Sequence, residues 1–196
     1  MAVFRYVKGA VFFLIFLTSV VTVFAVPSED EPLNIQHPLY VAVRTWVPQH
    51  LQPSRRHLHV HEHLNRLFAQ TQHPPMPQDF RDLLNATDAG IEIQTKEDLY
   101  FFQDVRFLLG RDTTVTLKQF NVAKKLDDLF EGILFGYNKD DLLDLVSATD
   151  AGIEIQTRND FLFYQTVKKA LKGKTVTPAL FNAYQDGGEE ALIEKL

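Results

Sequence analysis

From about residue 60 onward, the apolar positions fall into stripes at helical spacing. Leu64, Leu67 and Phe68 stand at i, i+3 and i+4, and Leu126, Leu129 and Phe130 repeat the pattern. Phe80, Leu83 and Leu84 predict a second helix opened by Pro77, which has no N–H to leave unpaired in a first turn. Leu142, Leu145 and Val146 predict its counterpart, with Asn138 as the N-cap. Gly90 and Gly152 fall where these two helices should stop, because glycine takes the left-handed cap conformation without strain. Thr95 with Asp98, and Thr157 with Asp160, read as capping boxes at the next helix starts. Leu99, Phe102, Val105 and Leu109 then form one face, echoed by Phe161, Tyr164, Val167 and Leu171. Thr116 with Gln119, and Thr177 followed by Pro178, start the last helices.

The pairing of these signals is no accident of composition. The ten residues from Ala86 to Thr95 recur unchanged as residues 148–157. Asp79 aligns with Asp141, and Asp98, Phe101, Gln103 and Val105 align with Asp160, Phe163, Gln165 and Val167. The chain therefore carries a duplicated segment, and a period of roughly 60 residues predicts three or more helices per unit. The helix that starts at Thr116 reads on through Phe120, Ala123, Leu126 and Phe130 into the second copy. The expected fold is all-α: two tandem helical-bundle repeats of about 60 residues each, stacked through that long shared helix. Repeat 1 is expected over 60–122 and repeat 2 over 123–196, with Ala191-Leu192-Ile193 as a truncated third copy that caps the stack.

The N-terminal third has a different character. Arg5 and Lys8 precede an apolar run from Val11 to about Phe24, and Val23-Phe24-Ala25 offers a cleavage site. Residues 1–25 are thus expected to be a signal peptide, leaving a secreted chain with no membrane segment after cleavage. A second reading, a signal anchor, rests on the uncharged stretch from Gly9 to Val26, at the short end of what spans a bilayer. Residues 26–59 read as a flexible arm: Pro27, Pro32, Pro38, Pro48 and Pro53 interrupt any regular element, and the region is rich in histidine. Leu39-Tyr40-Val41-Ala42-Val43 has the composition of a strand, yet nothing downstream offers it a partner.

Charge and composition narrow the chemistry. The formal net charge is −5, and no basic surface of the kind nucleic acid requires is indicated. The absence of cysteine excludes a disulfide scaffold, a thiol nucleophile and a cysteine-based zinc site. His57, His59, His61 and His63 alternate, and have two readings: a transition-metal face, or a polar lead into the first helix. Asp88, Glu92, Asp150 and Glu154 fit a tight interhelical corner better than an acid–base pair, since no histidine, lysine or nucleophile stands at a suggestive spacing. No catalytic residue, metal site or cofactor is expected. The phenylalanines are expected to pack the bundle, with Phe101 and Phe163 lying off the main face of their helices.

A leader, a proline-rich arm, an Arg-x-Leu motif beyond the cleavage site and cysteine-free helical repeats together resemble the RXLR effectors of oomycete plant pathogens. The motif is carried by Arg56, Leu58 and His59, an Arg-x-Leu-His variant. Leu129-Phe130, Asp140 to Leu145, Asp150-Ala151-Gly152 and Asn159 to Tyr164 look like the WY-type helical module of that family, although its tryptophan is absent and Trp46 lies in the arm. The resemblance implies that Arg56, Leu58 and His59 serve translocation or processing. It further implies a non-catalytic protein that binds a host plant protein and suppresses immunity inside the host cell, in cytoplasm or nucleus. Candidate partner contacts are positions that differ between the copies: Lys96 and Arg158, Glu97 and Asn159, Asp104 and Thr166, Phe107 and Lys169. The alternative is a secreted helical carrier of a lipid or other small apolar ligand.

Overall fold

A computed structural model describes residues 28–131 and 136–195; the expected signal peptide lies outside them. Eight helices are present among the described residues: α1 (Tyr40–Arg44), α2 (Arg55–Phe68), α3 (Pro77–Asp88), α4 (Lys96–Leu109), α5 (Leu117–Leu129), α6 (Lys139–Asp150), α7 (Arg158–Ala170) and α8 (Pro178–Glu194). No strand is found there, only an isolated bridge between Pro32 and Ser54. The fold is all-α. Its main packing runs between neighbours in sequence, from α1 on α2 through to α7 on α8.

The elements follow from their caps and stripes. Thr95 accepts from the Asp98 N–H, Thr116 from Gln119, Thr157 from Asp160 and Thr177 from Leu180, while Asn138 accepts from Asp140 and Asp141. Each bond satisfies an amide that the helix itself cannot. The apolar faces converge on one core, in which Leu64, Phe80, Leu83, Leu99, Phe102, Leu126, Leu142, Leu145 and Phe161 are essentially inaccessible.

The identical ten-residue block makes the corner between a helix and its successor. The Ile91 N–H donates to the Ala86 carbonyl at 2.8 Å and Gly90 N–H to Thr87 at 3.0 Å; Ile153 and Gly152 do the same to Ala148 and Thr149 at 2.9 and 3.1 Å. These are the paired bonds of a Schellman ending, and they place Gly90 at φ 69° and Gly152 at φ 71°. Ile91, Ile93, Ile153 and Ile155 then anchor the corners in the core. The corner reading of the block is what the geometry displays.

Two expectations need correction. The arm is not flexible throughout: over its described residues, 28–59, it holds a short helix and several buried side chains. The arm forms α1, and Leu33, Val43 and Val47 are buried in the core. Val43, Val105 and Val167 are all buried at intervals of 62 residues, as are Val47, Leu109 and Leu171. Arg44 gathers the carbonyls of Pro48, Gln49 and Leu51 at 3.0, 2.7 and 2.9 Å, much as Arg106 gathers that of Arg111 at 2.8–2.9 Å. The arm thus packs on α2 as α4 packs on α5. The expected boundary at residue 60 is also wrong, because α2 begins at Arg55, inside the Arg-x-Leu-His stretch. α5 does cross residues 122 and 123, but it is a helix of 13 residues. At the other end, Gly188 (φ 67°, ψ −150°) breaks α8 and turns Leu192 into the core.

Candidate interaction surface

Positions that match between the copies hold helices together. Asp79, at the third position of α3, accepts from the Met76 N–H through one oxygen (2.7 Å) and from Gln103 of α4 through the other (2.8 Å). Asp141 does likewise with the Asn138 N–H (2.9 Å) and with Gln165 (2.8 Å). One turn on, buried Asp82 pairs with Arg106, and Asp144 pairs with Lys168. A carboxylate removed from water needs such a partner, so these pairs clamp α3 to α4 and α6 to α7. Neither Asp-x-x-Asp with Gln-x-x-Arg nor its counterpart with Lys168 was singled out from the sequence. Equal spacing at an interval of 62 residues was the available signal.

Phe101 meets Phe120 edge to face at 5.5 Å between centroids, and Phe163 meets Phe181 at 5.1 Å. These off-face rings therefore contact the next helix. Asp98 is pushed upward by burial, but the Lys124 ammonium and bonds from Thr95 outweigh this and hold its carboxyl below the usual range. The Thr157 N–H and hydroxyl hold Asp160 low in the same way. Burial, with Asp127 and Asp104 nearby, pushes the Tyr137 phenol up to about 12.

The candidate contact positions divide into two groups. Lys96 is partly buried, its ammonium 5.0 Å over the Phe68 ring and 5.1 Å over Tyr100, and the Arg158 guanidinium lies 5.2 Å over Phe130. Both cations rest on corresponding phenylalanines and tie helices together. Glu97, Asp104, Phe107, Asn159 and Lys169 are exposed. Of these, Asp104 and Phe107 come together with Gln78, Asp82, Gln103 and Arg111 around an open cleft of about 420 Å³ on α3 and α4. Phe107 is 66% exposed and carries the Arg111 guanidinium 5.4 Å over its ring. Glu97, Asn159 and Lys169 do not line this cleft.

Arg56, Leu58 and His59 occupy the first turn of α2. Leu58 is buried, Arg56 is paired with Asp88 at the end of α3, and His59 has a side chain 60% exposed. Their counterparts in α5 are Lys118, which pairs with Asp150, and buried Phe120. A reader of this motif as an extended segment must first unwind that turn.

The alternating histidines do not converge. His57 stacks on Phe80 at 6.3 Å and its Nδ1 accepts from the Ser54 N–H at 3.2 Å, the place Gln119 takes at the start of α5. His61 is buried against Trp46, at 6.3 Å between rings. Burial holds both imidazoles, and that of His63, below their ordinary value. Among the described residues no group of three or more metal-ligating side chains is assembled, and no helix is long and apolar enough to cross a membrane. No family model, curated protein or solved structure matches the chain.

Proposed function

We propose that the chain is a secreted pathogen effector that binds a plant host protein and dampens immunity without catalysis. In this reading residues 1–25 are a cleaved signal peptide, and the folded part is two tandem helical units of about 60 residues joined through α5. The observation that carries it is the exposure, beside a cleft, of two residues that differ between the copies and are not spent on holding helices together. Matching positions are committed to caps, corners and interhelical clamps, whereas Asp104 and Phe107, which differ from Thr166 and Lys169, are exposed beside a cleft. An exposed aromatic ring flanked by an arginine is the kind of anchor protein interfaces use. The leader and the resemblance to RXLR effectors supply the setting. A cysteine-free core suits a protein that leaves one cell and works in the reducing interior of another.

The test is affinity capture from plant extract with the chain from Val26 onward, in parallel with Phe107→Ala. The expected result is a host protein enriched by the native chain and reduced several-fold by the variant. Capture of no host protein above background sinks the proposal. Native mass spectrometry of the purified chain decides against the carrier alternative or for it, a stoichiometric apolar ligand being the outcome that favours the carrier.

A further inference from the structure

Corresponding faces of α2 and α5 are covered differently. On α2 the arm lays an acidic turn, Glu29-Asp30-Glu31, across the first turn. Arg55 pairs with Glu31 at 3.1 Å, Arg56 with Asp30 at 3.8 Å, and His59 stands 3.8 Å from Glu29. Two main-chain bonds fix the same segment, from the Arg55 N–H to the Glu31 carbonyl (3.1 Å) and from the Arg56 N–H to the Glu29 carbonyl (2.8 Å).

Sixty-two residues on, Leu117, Lys118 and Asn121 stand where Arg55, Arg56 and His59 do, and Lys125 stands in place of His63. Lys118 keeps the ion pair to the end of the preceding counterpart helix, with Asp150 for Asp88. With Val122 and Thr149 these residues line an open groove of about 630 Å³. Leu117, 44% exposed, and the lysine stems make its apolar floor; the ammonium groups of Lys118 and Lys125 make its polar edge.

We propose that this groove docks a short acidic segment of a partner protein, held much as α2 holds Glu29-Asp30-Glu31. Two arguments name the occupant. Its charge complements Lys118 and Lys125, of which Lys118 already neutralises Asp150. The matching face of α2 is covered by three consecutive carboxylates held by Arg55, Arg56 and His59; on α5 Lys118 keeps one of those cations and Lys125, further along the helix, supplies a second. The exposed Leu117 adds an apolar contact that Arg55 does not offer, so the partner segment carries an apolar residue beside its acids. This deepens the partner-binding function by giving the chemistry of the docked segment. It rests on that function only for the source of the segment.

The probe is a fluorescein-labelled synthetic peptide of residues 27–36, titrated with the chain from Val26 and followed by anisotropy. Saturable binding is expected, weakened about tenfold by Lys125→Glu and by a rise from about 50 to about 300 mM salt. Leu117→Glu, on an exposed position, should weaken it similarly, and Arg55→Glu should leave it unchanged. Circular dichroism checks each fold, and Lys125→Gln replaces the charge reversal if that variant fails to fold. No saturable binding up to about 1 mM overturns the proposal. So does binding that Arg55→Glu abolishes and Lys125→Glu spares, which places the peptide on α2 instead. Self-association in sedimentation velocity that Lys125→Glu removes makes the arm of a second copy the occupant, and overturns the assignment to a partner protein. Purified components separate the two proposals. Peptide binding without capture of a plant protein supports the groove and sinks the wider function; undiminished capture by Lys125→Glu, with peptide binding lost, overturns the partner assignment and leaves the wider function standing.

Discussion

Leu58 stands in the middle of the Arg-x-Leu-His stretch, and the structure makes it a core residue. Its substitution by alanine separates a structural role from that of an exposed signal. Burial of the side chain is nearly complete, at 9% exposure, and its counterpart Phe120 is at 3%. Leucine-to-alanine changes in cores cost about 2–5 kcal/mol, from lost transfer energy and the cavity left behind. Leu58 lies in a first helical turn beside the arm, where neighbours can relax, so the lower half applies: about 2–3 kcal/mol. For a chain of this size that lowers the melting temperature by roughly 4–12 °C. The assay is urea and thermal unfolding of the chain from Val26, followed by circular dichroism. His59→Ala is the control, since that side chain is 60% exposed; its effect should stay within about 0.5 kcal/mol. Leu58→Met should cost less than about 1.5 kcal/mol, because it conserves volume. A Leu58→Ala protein as stable as His59→Ala refutes the placement of Leu58 in the core.

The remaining predictions concern the clamps, the corner and the histidines. Arg106→Ala leaves the Asp82 carboxylate, with a side chain only 3% exposed, without its cation; a loss of about 3–5 kcal/mol is expected in urea unfolding. Lys168→Ala should cost clearly less, because Asp144 and Lys168 are more exposed, at 12% and 45%; equal losses would contradict the asymmetry. Gly90→Ala meets no neighbouring atom within 4 Å, yet forces a side chain onto φ +69°. The expected cost is about 1–2 kcal/mol, read from the unfolding midpoint. Burial depresses His57, His61 and His63 below 6.5, with Arg56 adding to the effect on His57 and Arg66 to that on His63. Asp30, Glu62 and a hydrogen bond with the Ile93 backbone oppose the shift at His57, His61 and His63 respectively. As pH falls through that window the unfolded chain takes up protons that the folded chain refuses. Stability is therefore full above about pH 6.5 and falls as pH drops below it, modestly for His57 and His63, which stay partly open to solvent. His57→Gln copies the cap at Gln119 and should flatten the decline in unfolding midpoint between about pH 7.5 and about pH 5, whereas an unchanged slope would exclude His57.

Helices with both a stripe and a cap were legible in the chain. Phe80, Leu83 and Leu84 between Pro77 and Gly90 mark α3, although Ala86 and not Leu84 completes its buried face, and the Thr157–Asp160 pair marks the start of α7. The arm was not. α1 has only five residues, too few to display a period, and its prolines read as breakers although they flank the helix. What folds it is tertiary: Val43 and Val47 enter the core that Val105 and Leu109 enter further on, and Trp46 packs 5.9 Å from Phe80. The start of α2 was hidden because His57, a poor helix-start signal, takes the capping place that Gln119 takes openly. The proposed contact surface was legible only as a set of differing residues. Whether a lysine such as Lys96 faces solvent or rests on Phe68 depends on packing that no single position encodes.

Packing that runs from each helix to the next in sequence has a kinetic side. Few partners need be brought together across long stretches of chain, so little loop-closure entropy stands in the way of folding, and topology of this kind folds fast. No disulfide has to form along the way, since the chain has no cysteine. Such a chain, once unfolded, can rebuild itself helix by helix, without waiting for its two ends to meet.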